Sequence, residues 1–152
     1  MAKKNGSRAR PALPQIKSIQ FKITLLEIKP PIWRRIALTN HHSLADLHCA
    51  IQRSMGWDND HMHAFHIGKI EYAGYETARD CPGEATCDEE VLLHQVIKRR
   101  SQHFTYTYDF GDGWEHEIRV EEISPIIGKP SSPKCLDGQR ACPPEDCGGA
   151  YS

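Results

Sequence analysis

The chain has no apolar run near the roughly 18 residues that a membrane-spanning helix needs. Its six cysteines include no CxxC pair, which excludes a thioredoxin-type motif and a standard zinc ribbon. Nucleophile elbow, P-loop and dinucleotide fingerprint are all missing; Gly111-Asp112-Gly113 is only a turn. Net charge is also missing. Nineteen basic residues against 20 acidic ones leave −1, which excludes wholesale coating of nucleic acid but not a local basic patch. The N-terminus is charged with no apolar stretch behind it, unlike a secretory signal. Together these absences predict a cytoplasmic protein with reduced thiols and no membrane partner.

What is present suits one domain. The chain has 152 residues, 39% of them hydrophobic and 26% charged. With glycine counted in place of tyrosine the apolar share is about 43%, just under the globular norm of about 45–50%. Residues 1–15 read as a disordered basic arm carrying Lys3, Lys4, Arg8 and Arg10. The arm is either a phosphate-binding tail or a solvated one. Residues 16–125 read as an α+β domain. Residues 126–152 are rich in Cys, Pro and Gly and read as an irregular loop of that domain.

Periodicity supplies the elements. Ile19, Phe21, Ile23 and Leu25 alternate as in a strand, and residues 32–38 read as a second strand after Pro30-Pro31. Leu44, Leu47, Ile51 and Met55 form a helical stripe between an N-cap at Ser43 and a stop at Gly56, with Cys49 packed on the core. Strands follow at 61–67 and 70–75, then an acidic loop at 76–90 and a short helix at 91–98. The clearest hairpin is Phe104, Tyr106 and Tyr108 against Trp114, His116, Ile118 and Val120, around the turn Asp109-Phe110-Gly111-Asp112-Gly113. The expected fold is α+β: a single mixed or antiparallel sheet of five or six strands with one main helix on one face, β-grasp-like. Its core holds Ile19, Phe21, Ile23, Trp33, Ile36, Leu44, Leu47, Ile51, Phe65, Tyr106, Trp114 and Ile118.

Four segments, in order, carry a resemblance. They are Lys29-Pro30-Pro31-Ile32-Trp33-Arg34-Arg35; Met55-Gly56-Trp57 with His61-Met62-His63-Ala64-Phe65; Tyr106 to His116 with its DFGDGW core; and Cys142-Pro143-Pro144-Glu145-Asp146-Cys147-Gly148-Gly149. Over residues 17–149 the chain resembles the plasmid pRiA4b ORF-3-like family, which includes insertion-element passenger proteins labelled TnpR-like. The resemblance implies an α+β domain of bacteria and archaea, often near mobile elements, and no particular reaction. Members usually run on past the double glycine into a helical segment. This chain stops at Ala150-Tyr151-Ser152, which reads as a shortened homologue or a truncated product.

Candidate chemistry lies in five places. Asp109, Asp112, Trp114 and His116 surround a turn; they are ordinary turn chemistry, or Asp112 and His116 are metal ligands or an acid–base pair. His61 and His63 share a strand face and could chelate zinc or another divalent metal, or simply hydrogen-bond within the sheet. Cys135, Cys142 and Cys147, helped by Cys81 and Cys87, could form a structural zinc site or remain free thiols. Glu145 and Asp146 stand on a proline-stiffened loop and suit either a cation or a cap. Arg34 and Arg35, beside Trp33, could join the arm in a surface for DNA.

The polar 142–149 loop cannot order itself. It is expected to fold back on the 106–120 hairpin and bring Glu145 or Asp146 to His116 or to the His61/His63 face, making one composite pocket. Three functions remain open: a noncatalytic binding or accessory module linked to mobile DNA, a metal-dependent hydrolase with a His/Asp/Glu site, and a protein-interaction adaptor.

Overall fold

The computed structural model describes residues 12–130 and 132–150. The elements in chain order are β1 (Lys17–Leu25), β2 (Ile32–Thr39), α1 (Leu44–Met55), β3 (His63–Ile67), β4 (Ile70–Ala73), α2 (Tyr75–Asp80), β5 (Thr86–Cys87), α3 (Leu93–Val96), β6 (His103–Tyr108), β7 (Trp114–Pro125) and β8 (Lys134–Gln139), with a 3-10 turn at Asp88–Glu90 before α3. The basic residues Lys3, Lys4, Arg8 and Arg10 lie outside the described residues.

The strands form one mixed sheet in the order β5-β4-β3-β6-β7-β1-β2-β8. Eight strands replace the expected five or six. Every central pairing is antiparallel and the parallel pair is β4–β5 at the edge, so the strand order gives no support to a β-grasp-like arrangement. The sheet grew because β5 and β8 join its edges without contributing to the core. All six residues of β8 are exposed, and they still lie in register on β2, Trp33 opposite Gln139 and Ala37 opposite Lys134. An edge strand with no buried side has no period-2 pattern to read. Helix α2 was hidden in the acidic loop for the same reason, since none of its residues is buried.

The core follows from alternation. Ile19, Phe21, Ile23 and Leu25 are at most 1% exposed. They meet Leu44, Leu47 and Ile51 of α1 and the inward residues of β6 and β7. Trp33 is not in this core. Three positions before the buried Ile36, it falls on the opposite face of the strand. There its ring lies 4.9 Å from Lys22 Nζ and 5.1 Å from Arg35 Cζ.

Helix α1 begins and ends as its sequence dictates. The Ser43 hydroxyl accepts from Asp46 N at 3.1 Å, and Asp46 Oδ2 accepts from Ser43 N at 2.9 Å. Gly56 closes it at φ +75°. Cys49 points outward, and the inward positions beside the leucines are taken by His48 and Gln52. Ser43→Ala removes half of the capping box and is expected to cost about 1 kcal/mol. The thermal midpoint then falls by roughly 2–4 °C. An unchanged midpoint in scanning calorimetry would show that the cap contributes nothing.

Candidate functional site

The four sequence segments singled out above meet around one loop, residues 140–150. Arg34 points to the helix side of β2. Its Nε donates to Ser54 O (2.8 Å), Nη1 to Trp33 O and Gln139 O (2.8 and 3.0 Å), and Nη2 to Arg140 O (2.8 Å) and Cys142 Sγ (3.7 Å). The Cys142 thiol in turn reaches Met55 Sδ at 3.0 Å. Trp57 Nε1 donates to Pro143 O at 3.0 Å, and its ring stacks on Tyr108 at 5.0 Å. Glu145 Oε1 accepts from Tyr108 OH (2.5 Å) and from Asp58 N (2.9 Å). Burial and this carboxylate push the Tyr108 phenol well above its ordinary pKa. Gly148 N donates to Asp112 Oδ2 at 3.2 Å. At Gly149 a Cβ would stand 2.6 Å from Asp112 O, at a φ of +94°. Only glycine fits there.

Docking of the loop carries Asp146 to His61. Asp146 Oδ1 lies 2.9 Å from His61 Nε2, and Asp109 Oδ2 lies 3.7 Å from it. One ligand atom from each of the three residues falls within 4.8 Å of the others. Each side chain comes from a different segment: the loop before β3, the β6–β7 turn and the C-terminal loop. Asp109 is fixed by its other oxygen, which accepts Gly111 N (3.0 Å) and Asp112 N (3.3 Å). Asp109 and Asp146 hold φ at +58° and +56°, a left-handed backbone that Asp tolerates better than most residues. Asp58, Asp60 and Glu145 form a second, mostly exposed carboxylate group from the same two loops.

His63 does not join His61. It faces inward, donates through Nε2 to Asp88 Oδ2 at 2.5 Å, and stacks on His48 with ring centroids 3.4 Å apart. Asp88 is 1% exposed. The two positions share a parity, yet His61 precedes the strand, in a bend where parity does not apply. His48 Nδ1 accepts from Tyr106 OH (2.7 Å), Gln52 Nε2 donates to the same hydroxyl (3.0 Å), and His48 Nε2 donates to Asn59 Oδ1 (2.6 Å). Burial, with His63 beside it, lowers the His48 pKa to about 4. These partners escaped the sequence reading. His48 and Gln52 were legible as an i, i+4 pair on the apolar side of α1. Asp88 gave no signal, as one acid among several in a polar loop.

His116 is wholly buried against Trp57 and Tyr106, and its Nδ1 donates to Tyr106 O at 3.1 Å. Neither Asp112 nor the C-terminal acids are among its partners. Burial drives its pKa down to about 4, opposite to the rise expected beside a carboxylate. Trp114, beside it on the strand, is core. Asp112 faces the loop backbone and not His116.

Cys135, Cys142 and Cys147 do not gather at one point, and Arg34 and Arg35 both have partners. Cys135 sits on the exposed edge strand with Sγ 3.6 Å from Asp137 O, Cys142 lies under Arg34, and Cys147 is exposed. Among the described residues, no group of three or more metal-ligating side chains includes a cysteine. Spacing in a loop says nothing of where its thiols point. Arg34 is engaged by the backbone contacts above. Arg35 pairs with Glu121 at 2.8 Å and with Asp137 at 3.5 Å. Neither guanidinium is left as a free phosphate ligand.

A cleft of about 630 Å³ opens beside His61 and His63, between the 59–62 loop and α2. Its walls carry Asp60, Glu76, Asp80 and Glu89 and no Lys or Arg. Gly74 forms its floor, where a Cβ would be 3.2 Å from His63 Cε1.

Two expectations follow. Gly149→Ala is expected to cost about 1–3 kcal/mol and to lift the loop, seen as faster amide exchange confined to residues 142–150. Exchange at the wild-type rate would disprove the docking. The second concerns acid. His48 and His116 have folded pKa values below their unfolded ones, so the unfolded chain binds more protons between about pH 4 and 6.5. Stability is therefore full above about pH 6.5 and falls as pH drops toward 4, by an order of a few kcal/mol per ring. Urea midpoints at pH 7.5 and 4.5 read this directly; equal midpoints contradict it.

The chain is similar to proteins of one family. The chain is 34% identical over 133 residues to an uncharacterized protein, y4hQ, of Sinorhizobium fredii, covering 88% of this chain and 68% of that one. It is similar to the crystal structure of a protein of unknown function, MM3350, from Methanosarcina mazei Go1, with a TM-score of 0.80 and 32% identity over 91% of this chain and 78% of that one. The model of the plasmid pRiA4b ORF-3-like proteins matches residues 17–152, the whole sheet together with the docked loop, and the chain belongs to that family.

Proposed function

We propose that this protein is a noncatalytic binding module whose cleft beside His61 and His63 takes a cationic segment of a partner protein. One observation carries the reading: Asp60, Glu76, Asp80 and Glu89 line a concavity of about 630 Å³ that has no Lys or Arg in its walls. That volume suits one or two long side chains. Low-dielectric walls of a single sign concentrate the opposite charge. Exposed Met62 and Tyr75 at the same cleft, each 56% exposed, offer apolar contact to the stem of a lysine or arginine. The ring of Tyr75 already has Arg79 over it at 5.8 Å, an internal example of the contact.

Acyl-transfer chemistry is poorly served here. The histidines of the polar core are hydrogen-bonded to Asp88, Asn59 and Tyr106, and not to a Ser, Thr or Cys nucleophile. Burial holds the Tyr106 phenol well above its ordinary pKa. DNA is disfavoured, since phosphates would be repelled by the cleft and Arg34 and Arg35 are engaged elsewhere. The mobile-element setting that the family resemblance implies fits an accessory role of this kind.

Among the described residues no helix is long and apolar enough to cross a membrane. The test is titration of the protein with an arginine- and lysine-containing peptide, its glutamate counterpart and duplex DNA. The basic peptide should bind alone and weaken with salt. Glu76→Gln with Asp80→Asn should weaken it by about tenfold. Tighter binding of DNA than of the basic peptide would overturn the reading.

A further inference from the structure

We infer that His61, Asp109 and Asp146 form a binding site for a first-row divalent transition metal that clips the C-terminal loop to the β6–β7 turn. The donor set is one imidazole nitrogen and two carboxylates, and its atoms lie within 4.8 Å of one another. Imidazole with carboxylate suits zinc, manganese or iron(II), whereas calcium and magnesium prefer oxygen alone.

An ion pair is the competing account, and the geometry disfavours it. His61 Nε2 is buried and has no hydrogen-bond partner, although Asp146 Oδ1 is only 2.9 Å away. The ring nitrogen is therefore not aimed at that oxygen as an N–H donor would be. Both carboxylate oxygens lie within 4 Å of the nitrogen, close enough to share one ion with it. Asp109 supplies the independent observation. Its side chain is nine-tenths buried, its Oδ1 is held by two backbone N–H groups, and its Oδ2 has no hydrogen bond and turns toward His61. A carboxylate on a side chain this buried is costly unless a cation meets it. With Asp146 close by, two negative groups converge on one point, and a divalent ion relieves both desolvation and repulsion.

The site would also account for how the 142–149 segment is held. That loop has little apolar surface of its own, and two chain segments over 30 residues apart would be joined at one atom. The clip shares His61 with the wall of the neighbouring cleft but uses none of the cleft's carboxylates, and it requires only that the loop be docked.

The six cysteines would confuse a zinc titration, so the probe is manganese(II), which prefers nitrogen and oxygen donors to thiolate. Manganese binding is read by electron paramagnetic resonance and by amide exchange of residues 142–150. One ion per chain is expected, with exchange of that segment slowed when it binds. Asp146 is exposed, so Asp146→Asn should fold normally and weaken manganese by roughly 100-fold. His61→Gln should do the same, while Asp137→Asn, on β8 away from the site, should leave affinity unchanged. Wild-type affinity in both Asp146→Asn and His61→Gln, or no manganese uptake at millimolar concentration by the native chain, would overturn the site. Binding that leaves loop exchange unchanged would overturn the clip.

Discussion

The guanidinium of Arg34 is the contact on which the rest of the site depends. It faces the helix side of β2, where a free charge would be costly, and five acceptors meet its planar fork. Three of those acceptors lie past residue 138, so one side chain fastens the end of β8 and the start of the C-terminal loop to the middle of the sheet. Lysine could not replace it, since a single ammonium cannot span the Ser54 carbonyl and the Arg140 carbonyl together. From that anchor the chain passes under Met55 and Trp57, and the glycine pair closes on Asp112.

Trp57 extends the same logic into the core. Its ring fills the space between Tyr108, Trp114 and His116, and its N–H, which burial would otherwise orphan, is satisfied by the Pro143 carbonyl. The loop is therefore part of the core's hydrogen-bond accounting. Removing it would expose the indole and leave its N–H to water, so loop and hairpin are coupled energetically.

The polar centre behind the cleft is a different device. Tyr106, Gln52, His48 and Asn59 form a chain of hydrogen bonds in which each ring nitrogen of His48 has a partner, and His63 with Asp88 is stacked against it. A fully satisfied network of this sort specifies one arrangement of α1, β3 and β6. It positions the 59–63 loop, and that loop in turn supplies both His61 and Asp60 of the acidic cleft wall. Its cost is sensitivity to acid, because two of its surrounding rings stay neutral only while the fold is intact.

The sequence by itself determined the alternating strands β1, β6 and β7, the capped helix α1, the tight turn at 109–113 and the family, because each depends on residues close in the chain. The expectation of Trp33 in the core failed, because three positions from Ile36 it lies on the opposite face of the strand. Tertiary structure alone decided β8 and β5, whose pairing runs through backbone atoms that every residue shares. It also decided which histidine meets which acid. His61 and His63 have the same residue type and the same parity, yet one stands in a bend facing Asp109 and Asp146 and the other lies under α1 against Asp88. Cysteine spacing, arginine adjacency and acid clusters likewise carried no direction, because side chains in loops point where the distant partner lies. That Glu145-Asp146 returns to the hairpin could be anticipated from a loop unable to order itself; that Asp146 meets His61 while His116 is buried against Trp57 and Tyr106 was decided by the packing.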